Sequence, residues 1–104
     1  DAVAFCGWKP QLLDLELVGF HYRAGVLPSH RGQGLQRKLI EIRESEMIRS
    51  NIKVAVTYTE VYSAASMTSF INMGYRPYEA TEKTALCDIS KFRRMVHWKK
   101  NLNV

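Results

Sequence analysis

The stretch Val26-Leu27-Pro28-Ser29-His30-Arg31-Gly32-Gln33-Gly34-Leu35 constrains this chain more than any other. Before it, Phe20, Tyr22, Ala24 and Val26 alternate onto one face, the period-two pattern of a strand. Pro28 stops that strand. After it, a helix is expected from about Gly34 to Ser50. Leu35, Leu39 and Ile42 keep one face of it, with Ile40, Met47 and Ile48 beside them. A strand that passes through glycines straight into a helix demands a sheet with that helix packed on it. The two glycines let backbone approach a ligand closely. The first helical turn leaves N–H groups free at the positive end of the helix dipole. Together these make an anion site suited to a phosphate or pyrophosphate.

The rest of the chain repeats the alternation of strand and helix. Ala2 to Trp8 is short and apolar and reads as a strand that Lys9-Pro10 ends. Gln11 to Gly19 is leucine-rich and fits a loop, a short helix or the start of the next strand. Lys53 to Val61 is a strand, with Val54, Val56 and Tyr58 on one face. Ser63 is placed to cap a short helix with Ala64, Met67 and Ile71 inward. Gly74 suits the left-handed residue after that helix. Tyr75 to Tyr78 begins a strand, Glu79 to Lys91 is ambiguous, and Arg94 to Lys100 reads as a last strand. The predicted order is β-β-α-β-α-β-β. The fold class is α/β (α+β): a mixed, mostly antiparallel sheet with packed helices.

Size and composition agree with a single domain over residues 1–104. Hydrophobic residues are 46% and charged residues 24%, which excludes a disordered chain. No apolar run approaches the ~18 residues of a membrane span. Fifteen Lys and Arg against ten Asp and Glu give a net charge of +5, which favours anionic partners. Basic and aromatic residues do not interleave as a nucleic-acid stacking platform requires, so nucleic acid is disfavoured. Cys6 and Cys87 form no CxxC pair and read as buried thiols of a reducing compartment. Asp1 and its neighbours offer no basic leader region, and a cytoplasmic location is expected.

Two phosphate-binding motifs fail on inspection. GxxxxGK(S/T) is absent, and the GxGxxG fingerprint breaks because Arg37 stands at the third glycine. The stretch instead resembles motif A of the GNAT superfamily of acyl-CoA N-acyltransferases, V-x-P-x-x-R-G-x-G, at Val26, Pro28, Arg31, Gly32 and Gly34. The shorter form Q/R-x-x-G-x-G/A matches at Gly32 and Gly34, with Ser29 at its first position. The places of a second family pattern, N-x-x-S/A-x-x-x-Y-x-x-x-G-F/Y, are occupied by Ser63, Ser66, Phe70, Gly74 and Tyr75.

That resemblance implies acetyl-CoA as the cofactor and transfer of its acetyl group to a primary amine by direct attack in a ternary complex. Acetyl-CoA would lie in a gap between the strands at 20–27 and 53–61. Its pyrophosphate would rest on backbone N–H groups of Arg31, Gly32, Gln33, Gly34 and Leu35. Its pantetheine arm would pair with backbone near Val26 and Leu27, and an N–H near Leu27 would stabilise the oxyanion. Ser63, Ser66 and Phe70 would face the same gap. The amine must be neutral to attack, so a base is needed. Glu60, at the end of its strand, and His21 are the candidates. His21 has the suitable pKa class but alternates away from Phe20, the residue at the family's glutamate position.

The departures also carry meaning. Phe70 stands where the family has its tyrosine acid, leaving Tyr58, Tyr62, Tyr75 or unaided departure of the thiolate. Ser63 stands for an asparagine. A full family member opens with a strand, two helices and a strand that would precede Ala2. The chain is then either a piece of a longer protein or a minimal member completed by oligomerising through its exposed sheet edge. The helix charges Arg37, Lys38, Glu41, Arg43 and Glu44 read as a solvated face, with Arg37 or Lys38 able to reach a CoA phosphate. Trp8 and Trp98 read as core or interface, His97 as structural, and Met67 and Met73 as packing residues. A catalytically inactive acyl-CoA-binding module of the same fold is the alternative function. The acceptor, a small-molecule or protein amine, is not encoded in any motif. No metal site is expected.

Overall fold

The computed structural model describes residues 4–26, 34–88 and 94–102. The elements run β1 (Ala4–Leu13), β2 (Glu16–Val26), α1 (Leu35–Arg49), β3 (Val54–Glu60), α2 (Ala64–Asn72), β4 (Arg76–Tyr78) and β5 (Met95–Asn101). The expected order and the mixed sheet are both found. The five strands lie in the order β1-β2-β3-β5-β4. Every neighbouring pair is antiparallel except β2 and β3. That parallel pair is the one joined through a helix, since parallel strands need a crossover.

The first two strands are longer than their sequence suggests. β1 continues through Pro10, which pairs with Gly19 of β2. Among the described strands β1 has β2 as its one neighbour. Proline is tolerated on such an edge, where its missing N–H would face outward. The leucine-rich stretch turns out to be a tight hairpin. Asp14 (φ 45°) and Leu15 (φ 71°) both take positive φ, as a two-residue turn between twisted strands requires.

The sheet buries a core on each face. On one face, Ile40 and Met47 of α1, Phe70 of α2, and Ala55, Tyr75, Trp98 and Leu102 pack together, with Ile52, Met67 and Met73. On the other, Leu13, Val18, Phe20 and Val56 cluster against Val54, Tyr58, Tyr78 and Leu86. Gly19 lies directly beneath α1, and a Cβ built on it would come within 2.5 Å of Met47 Sδ. This close approach seats the helix on the sheet.

Both helices turn a different stripe inward from the one hydrophobicity suggests. The buried residues of α1 are Ile40, Arg43, Glu44 and Met47, spaced i, i+3, i+4 and i+7, while Ile42 and Ile48 are half exposed. Of the five charges read as a solvated face, Arg37, Lys38 and Glu41 are exposed, and Arg37 and Glu41 form an ion pair at 3.7 Å. In α2 the buried residue is Phe70, whereas Ala64 and Ile71 face outward. Ser63 occupies the N-cap position but makes no side-chain cap bond. Gly74 takes the left-handed conformation (φ 93°) just beyond Met73, as expected.

Candidate functional site: a cleft between two parallel strands

The parallel pairing of β2 and β3 covers two registered pairs, Gly19 with Ala55 and Phe20 with Val56. Beyond them the ladder ends although both strands continue. The link there is a side-chain one: Thr57 Oγ1 donates to the His21 carbonyl oxygen at 3.0 Å. The opening between the strands is a cleft of about 370 Å³, within the ordinary range of small-molecule sites.

Four elements line it. His21 and Tyr22 come from β2, and Thr57, Tyr58, Thr59 and Glu60 from β3. Gln36 and Arg43 come from α1, and Ser63, Ser66 and Phe70 from the start and middle of α2. His21 lies on the sheet face that carries Phe70 and Tyr75, while Tyr58 belongs to the opposite core. Residues of both faces line the cleft, so it passes between the strands. The first turn of α1 borders it through Gln36. That helix begins after Gly34, whose φ is 73°, with no side-chain cap and no acidic residue in its first turn. The first-turn N–H groups of that helix, with no acidic side chain in the turn itself, suit an anion.

The floor of the cleft is polar, buried and ordered. His21 is 3% exposed and Arg43 2% exposed. Arg43 Nε donates to the Leu39 carbonyl oxygen at 3.1 Å. Thr59 Oγ1 accepts from Trp98 Nε1 at 2.9 Å. The His21 ring reaches Tyr75 Oη through Nε2 at 2.6 Å. Tyr75 Oη donates to Glu44 Oε2 at 2.8 Å. Lys100 Nζ donates to Glu44 Oε1 at 2.9 Å. Burial, then the Arg43 and Lys100 charges, push the His21 imidazole down to about 3, so the ring is neutral. Burial and the Glu44 carboxylate hold the Tyr75 phenol well above its ordinary range.

The structure brings His21, Glu60, Ser63, Ser66 and Phe70 to one cleft. Val26 ends β2, and Gly34 and Leu35 open α1. Leu27, Arg31, Gly32 and Gln33 lie outside the described residues. Glu60 is exposed at the end of β3 and His21 is buried. Of the tyrosines considered as a substitute acid, Tyr58 lines the cleft, Tyr62 is exposed and is not among the lining residues, and Tyr75 is fully buried with its hydroxyl donating to Glu44. Sequence reasoning missed Arg43, Thr57 and Thr59. Arg43 was findable: it lies three residues after Ile40 and four before Met47, on their stripe.

Neither a family model nor a curated protein sequence matches the chain. Solved structures do. An acetyltransferase of the GNAT family from Staphylococcus aureus superposes with a TM-score of 0.75 at 16% identity, covering 97% of this chain and 60% of that one. The yncA protein of Salmonella typhimurium, solved with its cofactor acetyl-CoA, gives 0.74 at 20% identity, covering 97% and 58%. The ribosomal-protein-S18-alanine N-acetyltransferase of Escherichia coli gives 0.67 at 17% identity, covering 98% and 63%. This chain therefore spans 58–63% of the length of these three. The chain thus shares the fold of these acyl-CoA N-acyltransferases.

Proposed function

We propose that this chain binds acetyl-CoA in the cleft between β2 and β3 and takes part in moving the acetyl group to a primary amine by direct attack in a ternary complex. The observation that carries the reading is the parallel pair that closes at Gly19–Phe20 and opens at His21 onto a polar cleft. The uncapped start of α1 at Gly34 and Leu35 supports placing the pyrophosphate there, with Arg31, Gly32 and Gln33 completing the turn in this reading. Val26 and Leu27 would pair with the pantetheine arm, and Ser63, Ser66 and Phe70 would line its path. The cofactor supplies a thioester carbonyl open to attack by a neutral amine. Glu60 is the favoured base, because it is exposed at the cleft mouth. His21, neutral and buried, is better suited to hydrogen bonding than to taking a proton at neutral pH. The acceptor is a small-molecule or protein amine, and the Escherichia coli neighbour's name describes one of the protein kind.

Phe70 favours a second reading, a catalytically silent acyl-CoA-binding module. It is buried in the cleft at the position of the family's acid and has no proton to give. The test is calorimetric titration of acetyl-CoA into the chain and into Gly34→Glu. A Cβ at Gly34 meets nothing within 4 Å among the described residues, and its φ of 73° strains any side chain placed there. Affinity is expected to fall about tenfold or more, from charge repulsion and the lost helix-terminus site. Gly34→Ala controls for the strain of a left-handed residue. An absence of heat in the parent chain overturns both readings. Release of thiol with primary amines then separates transfer from silent binding.

A further inference from the structure

His21 is one of the residues that line the cleft. Its Nδ1 is buried and has no hydrogen-bond partner among the described residues. Buried polar atoms are paired in the great majority of cases, so an orphan at the wall of a cleft points to a ligand contact.

Its chemical state follows from the network behind it. The Glu44 carboxylate accepts twice, from Lys100 Nζ and from Tyr75 Oη. Tyrosine has one hydroxyl proton, and that proton is committed to Glu44. Tyr75 Oη must then accept from His21 Nε2, 2.6 Å away, so Nε2 carries the ring hydrogen. Phe70 and Tyr75 pack against the ring, and the Arg43 and Lys100 charges act on it. The two cations disfavour a third positive charge on the imidazole. A neutral ring with its hydrogen on Nε2 has a bare lone pair on Nδ1.

We propose that His21 Nδ1 is a preset hydrogen-bond acceptor that positions an N–H group of a substrate bound in the cleft, with Tyr75, Glu44 and Lys100 fixing its tautomer. This rests on the acyl-CoA reading. His21 is here a positioning residue, and no bond is made or broken at it. Two N–H sources share the chemistry: an amide of the pantetheine arm and the acceptor amine. The Arg43 and Lys100 charges favour the neutral amide over an ammonium group.

The experiment is nitrogen-15 NMR of the histidine-labelled chain, titrated separately with coenzyme A and with propylamine, beside calorimetry. In the free chain His21 should show a protonated Nε2 and a bare Nδ1, and should not titrate between about pH 5 and 8, where an ordinary histidine does. Saturating coenzyme A should move the Nδ1 signal toward its hydrogen-bonded value. A shift with propylamine alone assigns the amine as the donor. His21→Phe should weaken coenzyme A binding about five- to tenfold, the worth of one hydrogen bond, and His21→Gln should recover part of it. A chain that binds coenzyme A while Nδ1 responds to neither ligand overturns this inference alone, as does a free chain protonated at Nδ1. A chain that binds no coenzyme A overturns the acyl-CoA reading and this inference with it. The parent-chain spectra decide the matter even where His21→Phe fails to fold.

Discussion

The two ends of the β2–β3 seam use the same pair of strands to opposite effect. At the closed end Gly19 faces Ala55 and Phe20 faces Val56. Gly19 and Ala55 are small enough for Met47 of α1 to settle on them. At the open end His21, Thr57 and Thr59 take over that same face of the sheet, and backbone pairing gives way to one hydroxyl bond to a carbonyl. Strand propensity does not distinguish the two ends, since β-branched and aromatic residues occur at both. The kind of side chain facing the helices does. Small apolar groups let the helix press the seam shut, whereas polar groups turn their hydrogen bonds to each other and leave room for a ligand. The closed end should therefore govern stability and the open end should govern binding.

Truncating Met47 tests that division most severely. It is fully buried over Gly19, and Met47→Ala should remove about 2–5 kcal/mol of stability, through lost contacts and the cavity left behind. Denaturant unfolding measures this. Acetyl-CoA affinity of the folded protein should stay within about twofold, well under 1.4 kcal/mol. A tenfold loss of affinity in a folded variant would mean that the two ends are coupled, and the comparison would break.

Acid should act on the open end. His21 sits at about 3 in the folded chain against an ordinary value of 6.5. Below 6.5 the unfolded chain takes up a proton that the native chain refuses, so stability falls with falling pH across the window from 6.5 to about 3. Above 6.5 both states are neutral at this site and it contributes no slope. The loss approaches ~1.4 kcal/mol per pH unit, or about 2 kcal/mol by pH 5. His97 is also pushed down by burial and adds in the same direction. Its Nε2 accepts the Leu86 backbone N–H at 3.1 Å, a bond that protonation would break. Unfolding free energies measured at a series of pH values should flatten markedly in His21→Phe. An unchanged slope in that variant would show that the buried His21 is not what makes the open end acid-sensitive.

Element order was legible in the sequence because strand alternation and helical spacing are local signals, as in Phe20 to Val26 and around Val54. The motif read as an anion turn is equally local, being contiguous from Val26 to Leu35, and only its ends, Val26, Gly34 and Leu35, fall among the described residues. What stayed hidden depends on contacts across the fold. Nothing local joins His21, Glu44, Tyr75 and Lys100, which meet because β2, α1, the segment before β4 and β5 converge. Arg43 and Glu44 looked solvated because charge usually is. Their burial requires the polar partners that only the assembled cleft supplies. Pro10 reads as a stop until its strand proves to be an edge.

The hairpin before the seam offers the smallest effect and the sharpest control. Leu15 is 91% exposed, so it buries nothing, yet it holds φ at 71°. A branched side chain in the left-handed region crowds its own backbone, and the two-residue turn needs positive φ there whatever residue is present. Asp-Gly is the sequence such turns prefer. Leu15→Gly should therefore stabilise the chain by about 1 kcal/mol, the relieved strain exceeding the added freedom of glycine in the unfolded state. A rise in the thermal midpoint checks it. The hairpin sets the register that brings Gly19 opposite Pro10 and beneath Met47, so the gain belongs to the closed end. Acetyl-CoA affinity should not follow it. If stability rises while affinity stays level, the seam's two ends are separable from both directions: Met47→Ala lowers the one without the other, and Leu15→Gly raises it.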